Sequence, residues 1–144
     1  KQAGFTESEI VTLASIVDEE TDNEAEMPKI AGMYINRLHM NMPLQADPTI
    51  KFATKNFTAH RIYQKWLTID NPYNTYKYRG LPPGPIRIPS VAAIDAVLNY
   101  VHHDYIYMCA KEDFSGTHNF AKTYEEHQVN AAKYAKALNE HGIN

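Results

Sequence analysis

Leu13-Ala14-Ser15-Ile16-Val17-Asp18-Glu19-Glu20-Thr21 runs from an apolar stripe directly into three consecutive acids. Ile10, Leu13, Ala14 and Val17 recur at helical spacing and define one buried face. Upstream, Thr6-Glu7-Ser8-Glu9 has the capping-box pattern, so the helix opens there. Projection at about 100° per residue sets Glu19 nearly opposite the buried face, Asp18 and Glu20 on its two flanks, and Thr21 near its centre. A carboxyl at the edge of an apolar face can donate a proton near neutral pH, because burial disfavours its charged form. Periodicity removes Glu19 from that role. It leaves Asp18 and Glu20 as alternatives, beside the plainer reading of a solvated acidic helix end.

Working outward, Asn23-Glu24-Ala25-Glu26 offers a second cap and Pro28 fits a first turn, so Ile30, Met33, Tyr34 and Leu38 mark a second amphipathic helix ending near Met40. Leu44-Gln45-Ala46-Asp47-Pro48-Thr49 is a polar, proline-bounded loop in which Asp47 is placed to cap a short helix through Phe52. Residues 59–66 are weakly helical, with Ile62, Tyr63 and Trp66 turned inward. From Gly80 to Pro89 the prolines and glycines exclude helix and central strand, so this stretch reads as a rigid wall packed on the domain. Ser90 caps the next helix, through about Asn99. Residues 105–110 and 116–121 read as two strands of a hairpin turning at 113–116. Thr123-Tyr124-Glu125-Glu126 is a further capping box and opens a long final helix with Val129, Ala132, Tyr134, Ala135 and Leu138 on its inner side. The class is α+β, mostly helical, with a small antiparallel sheet.

At 144 residues the chain fits one domain, residues 1–144. A formal charge of −3 without a basic run gives no footprint for nucleic acid. The ten tyrosines, several of them between Tyr63 and Tyr78, suit a groove for carbohydrate or peptide as well as ordinary half-buried packing. No apolar run reaches membrane-spanning length. The chain opens on Lys1-Gln2-Ala3-Gly4 and reads as a piece of something longer.

Most site chemistries lack their residues. The seven histidines show no His-Glu-x-x-His spacing and the single Cys109 has no partner for a zinc pair, so no metal is expected. The glycines form no phosphate loop, Cys109 sits in an apolar strand where a thiol is inert, and no serine occupies an elbow motif. What remains is carboxylate chemistry supported by amide, hydroxyl and imidazole groups on loops, or no chemistry at all, and no cofactor is expected.

Six segments occur in a telling order: residues 14–21, Ile35-Asn36-Arg37-Leu38, residues 44–49, Pro72-Tyr73-Asn74-Thr75-Tyr76, residues 80–86 and Gly116-Thr117-His118-Asn119-Phe120. Over about residues 12–134 the chain resembles the catalytic domain of the endolytic murein transglycosylases of the MltG (YceG-like) type. The resemblance implies a mostly helical, lysozyme-like domain that cuts peptidoglycan between N-acetylmuramic acid and N-acetylglucosamine, leaving a 1,6-anhydro end and limiting the length of nascent strands. It implies Glu20 as the acid, with Asp18 the remaining alternative. It places Gln45 and Asp47 in a loop facing the cleft, Asn74 and Tyr76 in a cleft-lining segment, and His118 near the end of the domain, all as substrate-binding residues. Ala46 stands where the family usually has a small hydroxyl residue, and residues 98–104 replace a shorter, proline-containing turn. The implied partners are glycan strands and peptidoglycan synthases. The implied location is the extracytoplasmic (periplasmic) face of the cytoplasmic membrane, through an N-terminal anchor outside this chain. The Pro-rich wall is expected to help exclude water from the cleft.

Overall fold

The computed structural model describes residues 4–55 and 64–142. Helix α1 spans Glu7–Glu20 and begins in a complete capping box: Thr6 Oγ1 accepts from the Glu9 N–H at 3.2 Å, and Glu9 Oε1 accepts from the Thr6 N–H at 2.8 Å. Helix α2 spans Met27–His39, with Pro28 in its first turn. Helix α3 is Asp47–Thr54, a 3₁₀ turn follows at Gln64–Trp66, and α4 is Val91–Leu98 with Ser90 as its N-cap. Strands β1 (Tyr107–Ala110) and β2 (His118–Ala121) pair antiparallel, Met108 opposite Phe120, and α5 (Tyr124–Glu140) opens on the capping box of Thr123. The α+β class is as expected.

Helices α1, α2 and α4 pack on one another and enclose the core, in which Leu13, Ile16, Val17, Ile30, Ile35 and Val97 are almost wholly shielded. Burying one such side chain contributes about 1.5–3 kcal/mol, which is why the apolar stripe of α1 dictates the arrangement. Gly32 lets the 98–104 turn approach: a Cβ there would lie 2.2 Å from the Val101 carbonyl oxygen. Asn36 fastens the same turn, its amide donating to the carbonyls of His103 at 2.8 Å and Tyr105 at 2.9 Å.

The Pro-rich segment is a packed wall, but it lies along α1 and α4 rather than the cleft. Ser15, fully buried, accepts from the Ile86 N–H at 3.0 Å, and Leu81 and Ile86 rest on the core. None of residues 80–89 lines either lobe of the cleft described below.

Three further expectations change. Asp47 is the first residue of α3 rather than its cap; Ala46 holds the cap position and the Asp47 carboxylate is used elsewhere. The inner side of α5 is not the row of Val129, Ala132 and Ala135, which are exposed, but that of His127, Ala131, Tyr134 and Leu138. The reason is the partner surface: α5 packs on the hairpin, where Tyr107 stacks on His127 with ring centroids 5.1 Å apart. The strands are also shorter than 105–110 and 116–121. Trp66 is half-buried, whereas Ile62 and Tyr63 lie outside the described residues.

Candidate active site

Glu20 ends α1 at the wall of a cleft of about 400 Å³. A second lobe of about 570 Å³ continues past it, lined by Asp22, Asn23, Phe114 and Ser115. Glu19 and Glu20 border both lobes, so Glu20 stands where they meet. Thr21, buried as its projection requires, donates from Oγ1 to the Gly116 carbonyl at 3.1 Å and ties the end of α1 to the hairpin turn.

The three acids separate cleanly. Glu19 is exposed and pairs with Arg87 at 3.0 Å. Asp18 is buried, accepts from the Ser90 N–H at 2.7 Å and so holds the start of α4; it lines neither lobe. Glu20 is 16% exposed at its side chain and takes the Tyr34 hydroxyl on Oε2 at 2.6 Å. Burial raises its carboxyl above the ordinary range and the charge of Asp47 raises it further; His118, the Tyr34 hydrogen bond and Lys51 act in the opposite direction. Such a carboxyl retains its proton where an exposed one would not.

Gln45, Asp47, Tyr76 and His118 line the same lobe as Glu20. The 45–47 loop is held from beneath: the Ala46 N–H donates to Thr75 Oγ1 at 2.9 Å, and the hydroxyls of Thr49 and Thr75 lie 2.8 Å apart. These two threonines supply the hydrogen bonding that Ala46 itself lacks. Gln45 has φ +51°, an unusual conformation for a residue with a side chain. Asp47 accepts from the Tyr76 hydroxyl at 2.5 Å. It keeps accessible surface in the cleft, yet the surrounding protein still raises its carboxyl; Tyr76 and Lys51 oppose that rise.

Asn74 is not brought to the cleft. It is fully buried, donates to the carbonyls of Leu67 at 3.0 Å and Ile69 at 2.8 Å, and accepts from the Tyr76 N–H at 2.9 Å. An amide committed in this way has nothing left for a substrate. Asn74 supports Tyr76 instead.

Several further residues line the cleft, Arg37 of the Ile35-Asn36-Arg37-Leu38 segment among them. Tyr34 sits on the periodic core face, and the one available signal is that a buried phenol needs an acceptor. Arg37, 4% exposed, donates through Nε to the Ile106 carbonyl at 2.6 Å and through Nη1 to that of Pro43 at 2.7 Å, fixing the cleft floor. His127 lines the lobe with a buried Nδ1 that lacks a hydrogen-bond partner; burial, then the nearby Arg37, lowers its pKa and keeps it neutral. Cys109 also borders the cleft, but burial, then Glu112, pushes its thiol up to about 11, so it is no nucleophile. Among the described residues no cluster of His, Cys, Asp and Glu is arranged to hold a metal, and no helix is long and apolar enough to cross a membrane.

A largely buried carboxyl whose proton is favoured by burial, at a polar cleft, is the setting that general-acid chemistry requires. Comparison with known proteins places the chain in a family. The YceG-like family profile matches residues 1–133, and the chain belongs to that family. The endolytic murein transglycosylase of Bacillus subtilis (strain 168) is 41% identical over 131 residues, covering 91% of this chain and 36% of the relative. That of Streptococcus pneumoniae serotype 2 (strain D39) is 33% identical over 141 residues, covering 95% of this chain and 25% of the relative. The chain therefore spans about a third or less of the relatives it matches. A crystal structure of a YceG-like protein from Listeria monocytogenes superposes with a TM-score of 0.76 at 37% identity, over 83% of this chain and 38% of that one.

Proposed function

We propose that the chain is the catalytic domain of a peptidoglycan lytic transglycosylase that cuts glycan strands internally, with Glu20 as the single acid–base residue. The observation that carries the reading is the environment of Glu20: a largely buried carboxyl, its proton favoured by burial, at the joint of a two-lobed cleft. The names of the relatives support the substrate class.

Glu20 gives its proton to the oxygen linking N-acetylmuramic acid to N-acetylglucosamine. The bond from the anomeric carbon to that oxygen breaks, and the leaving sugar departs as an alcohol. The 6-hydroxyl of the muramic residue then closes on the anomeric carbon and its proton passes to the Glu20 carboxylate, which restores the acid. No water is consumed. Hydrolases normally use a second carboxylate to activate water or attack carbon. A tethered hydroxyl has a high effective concentration and needs less help. Gln45 and the Asp47–Tyr76 pair orient sugar hydroxyls or the N-acetyl group. The parent protein acts at the extracytoplasmic face of the cytoplasmic membrane, beside the peptidoglycan synthases, and limits the length of new strands.

Incubation with purified peptidoglycan, followed by mass spectrometry of the muropeptides, tests the reading. New 1,6-anhydro ends that vanish in Glu20→Gln are the expected result. Reducing ends that carry an added water would mark a hydrolytic muramidase. Binding of glycan without any new ends would instead mark an inactive scaffold module.

A further inference from the structure

His118 reaches the cleft from the start of β2 and is held there by a residue outside it, Glu26, in the connection between α1 and α2. Both oxygens of Glu26 are used by this one partner. Oε1 lies 2.7 Å from His118 Nδ1, and Oε2 accepts from the His118 backbone N–H at 2.8 Å. With Nδ1–H donating to Glu26, a second ring proton, that of the imidazolium, sits on Nε2. The remaining ring nitrogen, Nε2, faces Glu20 Oε1 at 3.9 Å. The other oxygen of Glu20 is already taken by Tyr34.

We propose that Glu26 is a positioning residue for the reaction: it locks His118 so that Nε2 addresses the one oxygen of Glu20 that gives up and recovers the proton. The proposal rests on the reading of Glu20 as the acid. When Glu20 has protonated the leaving oxygen, its Oε1 becomes a bare carboxylate oxygen in a confined site. An imidazolium held there, with Nε2 protonated as well as Nδ1, steadies that oxygen by its positive charge until the 6-hydroxyl returns a proton. The other charged or titratable groups facing the pair are Tyr34 from α2, Asp47 and Lys51 from α3, and Tyr76 from its loop. Tyr34 and Tyr76 are neutral, and Asp47 and Lys51 oppose each other at Glu20, so His118 is the group through which Glu26 can act on Glu20. A plain structural clamp between the hairpin and the α1–α2 connection would make the same contacts without acting through His118. The two roles differ in what happens once His118 is gone.

The test compares Glu26→Ala, Glu26→Gln, His118→Ala and the double variant Glu26→Ala/His118→Ala, with thermal midpoints measured alongside. Glu26→Gln keeps the packing but cannot accept from both donors, and it serves if the alanine variant folds poorly. Each single variant is expected to lower kcat by about ten- to a hundredfold, part of the general acid–base contribution, with KM nearly unchanged. The double variant should be no slower than His118→Ala alone; losses that multiply would overturn the proposal. A second measurement needs no turnover: side-chain carbon NMR of Glu20 across pH. His118 lowers the proton affinity of Glu20, so Glu26→Ala and His118→Ala should raise its titration midpoint alike. An unmoved midpoint in both Glu26 variants refutes positioning whatever the activity. Wild-type protein that releases no glycan ends refutes the reaction reading instead, and the titration still decides whether Glu26 sets His118 against Glu20.

Discussion

The Tyr34 hydroxyl donates to Oε2 of Glu20 at 2.6 Å, while Oε1 is the oxygen on the His118 side. The bond favours the ionised carboxylate and restrains the rise that burial imposes. Tyr34→Phe keeps the buried ring and removes only this bond. A hydrogen bond to a charged group contributes about 1.5–3 kcal/mol, so kcat should fall roughly tenfold or more. The alkaline limb of the pH–rate profile should move to higher pH, because Glu20 then holds its proton longer. A limb that stays in place, measured by product release across pH, would contradict this role.

Glu20 should weaken the fold at neutral pH. Its folded-state pKa lies above the ordinary 4.5, so the native chain binds this proton more tightly than the unfolded chain. Below pH about 4 both states are protonated and the penalty is absent. As pH rises through the unfolded value the unfolded chain ionises first, and the penalty grows until the folded value is passed. Glu20→Gln should therefore melt at a higher temperature than wild type at pH 7, with the two curves converging in acid. Asp47 is raised in the same direction, but it is present in both proteins and cancels. Equal melting temperatures at pH 7 would rule this out.

Asp18→Ala separates the two alternative acids. The Asp18 carboxylate holds the Ser90 N–H at the entrance to α4, and losing such a contact destabilises by about 1–2 kcal/mol. The folded variant should cut glycan at close to the wild-type rate. Loss of cleavage as complete as in Glu20→Gln, with the fold intact by circular dichroism, would move the acid to Asp18.

Asn74→Ala should act on stability first. The side chain bonds the carbonyls of Leu67 and Ile69 and the amides of Tyr76 and Lys77, all from a fully buried position. Stranding those groups should destabilise by about 2–4 kcal/mol in chemical denaturation. In the protein that remains folded, KM should rise as Tyr76 loses its support. A variant of wild-type stability that merely bound substrate less well would restore Asn74 to the cleft.

Much of this architecture is legible in the chain because its signals are local. The capping boxes at Thr6 and Thr123 and the cap at Ser90 each lie within a few residues of the helix they begin. The stripe of α1 likewise predicts that Glu19 is exposed, and it is. Long-range polar contacts leave no such trace. Asp18 meets Ser90 across 72 residues and Glu26 meets His118 across 92, and nothing in the spacing links either pair. The motif around Asn74 and Tyr76 identifies a segment that matters without telling the residue that lines the cleft from the one that carries it. The inner face of α5 differs for another reason: its covering surface is the hairpin, where the Tyr107 ring stacks on His127 while Val129 is exposed.

Glu20 is the final residue of α1, and the last turn contains no basic residue. The peptide dipoles of a helix sum to a partial negative charge at that end. The backbone of α1 therefore aims its negative pole at the acid and adds about 0.3–1 kcal/mol toward keeping the proton, less than one pKa unit. The same carboxyl at the head of the helix would meet the positive pole and ionise more readily. Its strength as an acid is written in the direction of the chain as well as in the side chains around it.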